Sequence, residues 1–325
     1  MKKPINKIAV FTSGGDAPGM NACIRAVVRT AIAYNIKVSG IRHGFDGMIR
    51  GEYIPLDSAS VSNIIHRGGT ILKTARSSEF MTDTGMLKAK ENLKRNNIDA
   101  VVAIGGDGTF RGAVEFNRKF GFPFIGIPGT IDNDLYGTDY TLGFDTAVNT
   151  TLEAIDRIKD TAAAHDRLFF IEVMGRDTGY IALWTGIAGG AEEILLPETK
   201  TDISKMIEIL RKRKERGKST IVIVAEGDDA GGALEIAQKV KSEVSGLESR
   251  VTILGHLQRG GRPTCFDRIL ACRFGVAAVE ALLNGVSDKM VGLINNKVSF
   301  IDLQKAATTK EPLDTDLIRF TKILS

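Results

Sequence analysis

The sequence predicts an α/β protein of two three-layer domains with mostly parallel sheets. Three observations lead there. Short apolar runs bounded by glycine alternate with amphipathic segments of helix length, which is the order of repeated βαβ units. A chain of 325 residues is long enough for two cores rather than one. Each glycine-rich or acidic motif lies just after a strand candidate, where open parallel sheets bind ligands.

The strand candidates are Lys7–Thr12, Lys37–Arg42, Asp99–Ile104, Phe124–Ile127, Arg167–Val173, Glu193–Leu196, Thr220–Val224 and Val251–Leu254. These runs are short, apolar and bounded by turn residues, as buried strands are. The helix candidates are Gly19–Tyr34, Thr84–Asn96, Gly108–Phe120, Thr146–Thr161, Ile203–Gly217, Gly232–Val244 and Cys265–Asn284. No tandem repeat of solenoid length is present, and no low-complexity linker separates two halves. The domains are therefore expected to interleave, with the chain crossing more than once.

Composition narrows the function. With 43% hydrophobic and 25% charged residues, the chain matches ordinary soluble globular proteins. A net charge of +4 is too mild to argue for nucleic acid. It suits an enzyme for anionic phosphates, and equally a surface whose charge has drifted. Cys23, Cys265 and Cys272 are odd in number and lack a paired spacing, which argues against a disulfide framework, and none forms the C-x-x-C spacing of a zinc site. The apolar run Ile8–Phe11 is too short for a signal peptide, and no window reaches the length of a membrane span. A reduced, cytoplasmic protein with no membrane association is expected.

The chemistry concentrates in two motifs. Gly105-Gly106-Asp107-Gly108-Thr109 is a turn whose glycines admit a phosphate and whose carboxylate suits magnesium on triphosphate oxygens. Asp107 could instead cap the helix, and both roles can hold at one helix start. Pro128-Gly129-Thr130-Ile131-Asp132-Asn133-Asp134 follows one helix-and-strand unit later. Thr130, Asp132 and Asp134 alternate, so an extended loop would turn them to one face. Together the motifs describe phosphoryl transfer to an alcohol: Asp132 takes the hydroxyl proton, Asp134 orients a sugar or metal, and Thr130 holds the phosphoryl group. The preceding turn Thr12–Asn21 contains Gly14-Gly15 at a helix start but is neither a Walker A loop nor a G-x-G-x-x-G fingerprint. Phosphate contact and a plain tight turn both remain open for it. Arg76 suits a phosphate or an adenine face, or simply a solvated position.

Taken with Val173-Met174-Gly175-Arg176 and Gly255-His256-Leu257-Gln258-Arg259-Gly260-Gly261, these motifs closely resemble those of the bacterial ATP-dependent 6-phosphofructokinases. The resemblance runs from Thr12 to about Asn284. It implies the phosphofructokinase fold of two Rossmann-like domains: residues 1–143 with 258–308 for ATP, and 144–257 with 309–325 for fructose 6-phosphate. It implies transfer of the ATP γ-phosphoryl to the 1-hydroxyl of fructose 6-phosphate in glycolysis, with Mg2+ as cofactor. By the same resemblance Asp132 is the general base, Arg176 stabilises the transferring phosphoryl and Thr130 hydrogen-bonds it. Asp107 binds the metal. Gly15, Arg76, Ser77, Gly106, Asp107, Gly108, Thr109 and Gly112 line the nucleotide site. Asp134, Met174, Gly175, Glu226, His256 and Arg259 hold the sugar phosphate, and Arg167 and Arg250 reach into a neighbour's active site within a homotetramer. An arginine at 250 or 259 suits a 6-phosphate on physical grounds. His256 alone could equally pack or cap.

Two glycines bear on the donor. Pyrophosphate-using relatives carry a bulkier, charged residue where this chain has Gly108, and a lysine where it has Gly129. Glycine at both places leaves room for the rest of ATP. A different sugar-phosphate acceptor and a non-catalytic regulatory subunit are also open. The joint presence of Asp107, Asp132 and Arg176 weighs against a regulatory subunit.

The resemblance also implies an effector site between subunits for ADP or phosphoenolpyruvate. Arg25 and Arg29, one turn apart on a helix candidate, match it, as do Gly190, Glu192, Arg216 and Lys218. Solvated charge near a helix end is the ordinary reading of the basic run 211–218. Ser58, Asn63 and Lys159 stand where the family has arginine, aspartate and arginine. A lysine keeps the charge but loses the bidentate fork. Weakened or altered regulation is expected.

Overall fold

The computed structural model describes residues 4–164, 167–215, 219–244 and 248–324. The chain divides into two compact units. Residues 1–146 with 259–311 form unit 1, and residues 147–258 with 312–325 form unit 2.

In chain order the elements of unit 1 begin with β1 (Lys7–Thr12), α1 (Met20–Ala33), β2 (Lys37–Ile41), α2 (Gly44–Arg50) and β3 (Tyr53–Leu56). They continue with α3 (Asp83–Arg95), β4 (Ala100–Gly105), α4 (Asp107–Phe120) and β5 (Phe124–Pro128). Helix α5 (Phe144–Ala163) carries the chain into unit 2. There follow β6 (Leu168–Val173), α6 (Tyr180–Ala188), β7 (Glu193–Leu195), α7 (Ile203–Glu215), β8 (Thr220–Ala225), α8 (Ala233–Glu243) and β9 (Ser249–Ile253). The return to unit 1 adds α9 (Cys265–Leu283), β10 (Lys289–Ile294), β11 (Lys297–Asp302) and α10 (Leu303–Thr308), and α11 (Thr315–Leu324) ends the chain in unit 2.

Unit 1 holds a seven-stranded sheet in the order β11-β10-β5-β4-β1-β2-β3. Its five inner strands run parallel, and the two edge strands are antiparallel to their neighbours. Alternation along the strands divides the core. Ala9, Phe11, Val101, Ala103 and Phe124 pack with Phe45, Met48, Met86, Leu93, Phe110 and Phe116 from α2, α3 and α4. Helices α1 and α9 pack together, with α9 also against β4, β5 and β10. Cys23 is buried, and burial pushes its thiol well above the ordinary range. All three cysteines are free.

Unit 2 holds a four-stranded, wholly parallel sheet in the order β7-β8-β6-β9. One face packs Leu168, Phe170, Val222 and Val224 against Met206 and Leu210 of α7 and Ile236 and Val240 of α8. Helix α6 packs against β7 and β8, and α11 packs against α6. Burying β6 and β8 on both faces explains their near-continuous apolar runs.

Every strand and helix expected from sequence is present among the described residues, and the ends that can be compared coincide or differ by at most two residues; the expected helix end at Gly217 lies outside the described residues. The elements that escaped prediction have local reasons. Helix α2 contains Gly44 and Gly47, which depress helix propensity. Helix α6 is apolar almost all round and carries little 3.6-residue periodicity. The hairpin β10–β11 turns on Asn295-Asn296, both at positive φ (49° and 59°), a mirror-image turn that asparagine tolerates.

Candidate active site

In unit 1 the connections reverse at β1, with β2 on one side and β4 on the other. A reversal of this kind leaves a crevice beyond the carboxyl ends of the two strands. The turns after β1 and β4 lie there, and that after β5 lies beside them. Backbone bonds lace the three together: Ser13 N–H donates to the Ile104 carbonyl and Gly129 N–H to the Gly105 carbonyl, each at 3.0 Å.

Helix α4 starts on the turn after β4. Its N-cap is Gly106, and no side chain caps its first turn. Asp107 is the first helical residue, so it does not serve as the cap. Its carboxylate instead pairs with Arg111 one turn on. The helix start supplies amides and a dipole that favour an anion. A Cβ added at Gly108 would meet no atom within 4 Å, so that position opens onto space. Gly129 differs. A Cβ there would lie 2.9 Å from Ile104 Cγ2 and 3.2 Å from Met20 Cε, and both of those side chains are fully buried. Packing, not only donor room, accounts for Gly129.

The other expected nucleotide residues divide. Gly14 and Gly15 are exposed on the turn after β1. Thr109 is buried and sits beneath the turn. Gly112 faces the ring of Phe45, whose Cε2 would lie 2.8 Å from an added Cβ, so ring packing explains this glycine. Arg76 is exposed. Ser77 accepts from Phe80 N–H at 3.3 Å and donates to Asp46 at 3.4 Å, which commits its hydroxyl locally.

The turn after β5 is not the extended segment that alternation assumed. Residues 131 and 132 bend, and Asn133 takes φ 52°. Thr130 and Asp132 are buried, at 8% and 4% exposure, while Asp134 is half-buried. With a left-handed residue between them, Asp132 and Asp134 do not follow the alternation of an extended strand. Thr130 Oγ1 accepts from Asp132 N–H at 3.2 Å. Asn133 fixes the turn, accepting from Thr141 N–H at 2.7 Å and donating to the Asp139 carbonyl at 3.2 Å.

Arg259 belongs to unit 1. Its Nη1 donates to the Asp16 carbonyl at 3.3 Å, and its guanidinium lies where a Cβ at Gly15 would stand. The structure thus sets Arg259 on the turn after β1.

In unit 2 the expected acceptor residues gather beyond the carboxyl ends of β6, β8 and β9. Met174, Gly175 and Arg176 follow β6, Glu226 follows β8, and His256 follows β9. Arg176 stands at φ 55°, and both it and His256 are exposed. Glu226 Oε1 accepts from Arg176 N–H at 2.8 Å and Gly175 N–H at 3.3 Å. Two successive amides converge on one carboxylate oxygen, so Glu226 shapes this turn whatever else it binds. Arg167 and Arg250 do not join the group. They lie toward the amino ends of β6 and β9 and flank Glu248, at 3.3 and 3.7 Å. The length of strand β6 separates Arg167 from Met174, about 23 Å.

Of the expected effector residues, Lys159 Nζ donates to the Gly189 carbonyl at 2.7 Å, beside Gly190. Glu192 accepts from Arg213 at 2.5 Å and from Ile221 N–H at 2.6 Å. Arg25 is half-buried and Arg29 exposed on α1 in unit 1. Arg216 and Lys218 lie outside the described residues. Asn63 is exposed at φ 55°, a conformation that suits asparagine. Ser58 is exposed.

Sequence reasoning missed the residues that hold these turns. Asn21 is buried, donates to the carbonyls of Arg67 and Gly68, and accepts from Ile71 N–H. Asp267 is fully buried and accepts from Gly143 N–H at 2.8 Å, Thr146 N–H at 2.9 Å and Thr146 Oγ1–H at 2.5 Å. Burial raises its carboxyl to about 6, against the lowering effect of those bonds. A lone polar residue at a helix start is the only sequence signal for either. Among the described residues, no cluster of three or more His, Cys, Asp or Glu is placed to hold a metal, and no helix is long and apolar enough to cross a membrane.

Comparison with known proteins identifies the lineage. The Phosphofructokinase family profile matches residues 7–282. The chain is 56% identical to ATP-dependent 6-phosphofructokinase 1 of Thermus thermophilus over 322 residues, covering 99% of this chain and 100% of that one. It is 52% identical to ATP-dependent 6-phosphofructokinase of Cytophaga hutchinsonii, covering 99% and 98%. Among solved structures, phosphofructokinase of Pichia pastoris in the T-state superposes with a TM-score of 0.86 at 36% identity, over 100% of this chain and 37% of that longer one. A pyrophosphate-dependent phosphofructokinase of Marinobacter aquaeolei gives 0.84 at 25% identity, covering 96% and 86%. Together with the mostly parallel sheets and the turns beyond them, these matches place the chain in the phosphofructokinase family.

Proposed function

We propose that this protein transfers the γ-phosphoryl of ATP to the 1-hydroxyl of fructose 6-phosphate, giving fructose 1,6-bisphosphate and ADP, as the committed step of glycolysis. The observation that carries the reading is the backbone bond joining the Gly105 and Gly129 turns, which sets Asp107 and the buried Asp132 beyond neighbouring strands β4 and β5. The full-length curated relatives named for this reaction support it.

Unit 1 carries the nucleotide. The amino end of α4 and the turn containing Gly15 receive the phosphates, and Arg76 lines the nucleotide site. A single carboxylate, Asp107, suits Mg2+, which is held largely through substrate phosphates and water. Bound there, the ion neutralises charge on the phosphate oxygens. Asp132 accepts the proton of the attacking hydroxyl, and Thr130 keeps its own hydroxyl hydrogen for the phosphoryl oxygen. In unit 2, Met174, Gly175, Glu226 and His256 hold the sugar phosphate, and Arg176 offsets charge on the transferring group. Asp134 and Arg259 complete the acceptor set.

The ends of β6 supply the reason for assembly. Arg167 stands about 23 Å from Met174, too far to serve the same site, so with Arg250 it serves a neighbour's site in a homotetramer. ADP or phosphoenolpyruvate binds between subunits, at Arg25, Arg29, Lys159, Gly190, Glu192, Arg216 and Lys218. Because Glu192 is already engaged by Arg213 and Ser58 carries no charge, the response to these effectors is weak. The protein works in the cytoplasm.

A coupled assay offering ATP or pyrophosphate with fructose 6-phosphate tests the reaction. Turnover with ATP and a fall in kcat of about 100- to 10,000-fold in Asp132→Ala are expected. A near-unchanged turnover number in that variant would sink the mechanism.

A further inference from the structure

Gln258 lies within the Gly255–Gly261 motif, yet the proposed reaction gives it no role. It is fully buried, at 0% exposure, so it cannot touch a ligand. Its amide is nevertheless engaged at both ends. Oε1 accepts from Met174 N–H at 3.3 Å and from Thr151 Oγ1–H at 3.1 Å. Nε2 donates to the Gly255 carbonyl at 3.1 Å. One side chain therefore joins α5, the turn after β6 and the turn after β9.

The place of those bonds matters. Strand β6 lies between β8 and β9. From the β8 side, Glu226 holds the amides of Gly175 and Arg176. From the β9 side, Gln258 holds the amide of Met174, the residue before them. Three successive amides of one turn are thus fixed from both neighbouring strands. Gln258 also holds Gly255, the residue before His256. We propose that Gln258 is a positioning residue for fructose 6-phosphate, acting through Met174–Arg176 and His256 and not by contact.

The inference rests on the proposed reaction and adds a specificity that a general packing role lacks. The turns Gln258 fixes carry sugar-phosphate residues and no nucleotide residue. Buried amides left without an acceptor re-aim or open the turn that bears them. Misplacing binding groups by about 1 Å is enough for a large loss. The effect should therefore fall on one substrate.

The test is steady-state kinetics of the full chain, with thermal unfolding measured in parallel. Gln258→Leu keeps bulk and removes both polar atoms. It should raise the KM for fructose 6-phosphate by about tenfold or more and leave the KM for ATP within about twofold. Gln258→Glu keeps an acceptor for Met174 and Thr151 and should recover part of the loss. Thr151→Val removes one bond and leaves the Met174 contact, so it should raise the same KM by about two- to threefold. If Gln258→Leu does not fold, the Thr151→Val result decides. An unchanged KM for fructose 6-phosphate, or equal changes for both substrates, would overturn the proposal. Absence of fructose 6-phosphate turnover in the unmutated chain would instead remove the underlying reaction.

Discussion

Replacing Gly108 by aspartate separates a site effect from a folding effect. Position 108 is the second residue of α4, and an added Cβ meets nothing within 4 Å. Glycine in a helix costs roughly 0.5–1 kcal/mol relative to alanine, and a carboxylate in the first turn gains about 0.3–1 kcal/mol. The variant should therefore fold at least as stably as the unmutated chain. A nucleotide triphosphate at the amino end of α4 meets the new charge. At about 6 Å and an effective dielectric constant of about 20, one pair of like charges repels by roughly 3 kcal/mol. That corresponds to about a hundredfold weaker ATP binding. Gly129→Ala is the control. Its Cβ presses on Ile104 and Met20 inside the core, and overpacking of this kind costs about 1–3 kcal/mol. Gly129→Ala should therefore unfold at lower urea. The assay is ATP-dependent turnover with the KM of each substrate, alongside urea unfolding of each variant. An unchanged ATP KM in Gly108→Asp would refute the steric and electrostatic reasoning. A large loss of stability in that variant would refute the reading of open space.

Other expectations follow from the same geometry. Arg167→Ala and Asp132→Ala should each be inactive, yet mixed and reassembled they should regain about a quarter of the sites if each site draws on two subunits; recovery of nothing from a verified hybrid would exclude shared sites. Phosphoenolpyruvate should inhibit weakly, and strong sigmoidal inhibition in a steady-state assay would count against the thinned effector set. Asp267, raised from 3.8 to about 6 by burial, binds protons in the native state that the unfolded chain releases. Its stabilising contribution is complete below pH 3.8 and is lost as pH rises through about 6, by about 3 kcal/mol at roughly 1.36 kcal/mol per pH unit. Urea midpoints for Asp267→Asn and the unmutated chain at about pH 4.5 and 7 measure it, and parallel pH dependence of the two would refute it.

The glycine turns and the strands before them were legible because a buried parallel strand and a tight turn both leave local marks. The turns that carry Asp107 and Asp132 could be placed from their neighbours for that reason. What could not be read was the direction of a side chain beyond its own segment. The bend at Asn133 turned Asp134 away from an alternation that sequence alone supported. The hold of Arg213 on Glu192 joins residues 21 apart in sequence. Gln258 and Asp267 were silent because a buried amide or carboxylate reveals its purpose only through partners brought together by folding. Arg259 was assigned by its place in a motif, and the structure put it against Gly15, most of the chain length away.

The sheet order of unit 1 has a consequence for synthesis on the ribosome. Strand β10 occupies the place between β5 and β11, although β5 ends at Pro128 and β10 begins at Lys289. At about 5–20 residues per second, the edge of β5 waits roughly 10–30 s for its partner. Helix α1 waits similarly for α9. During that interval the nascent chain displays an unpaired parallel edge and an uncovered apolar helix, the features most prone to pairing with other chains. A discontinuous domain therefore makes the last third of the message decisive for the solubility of the first.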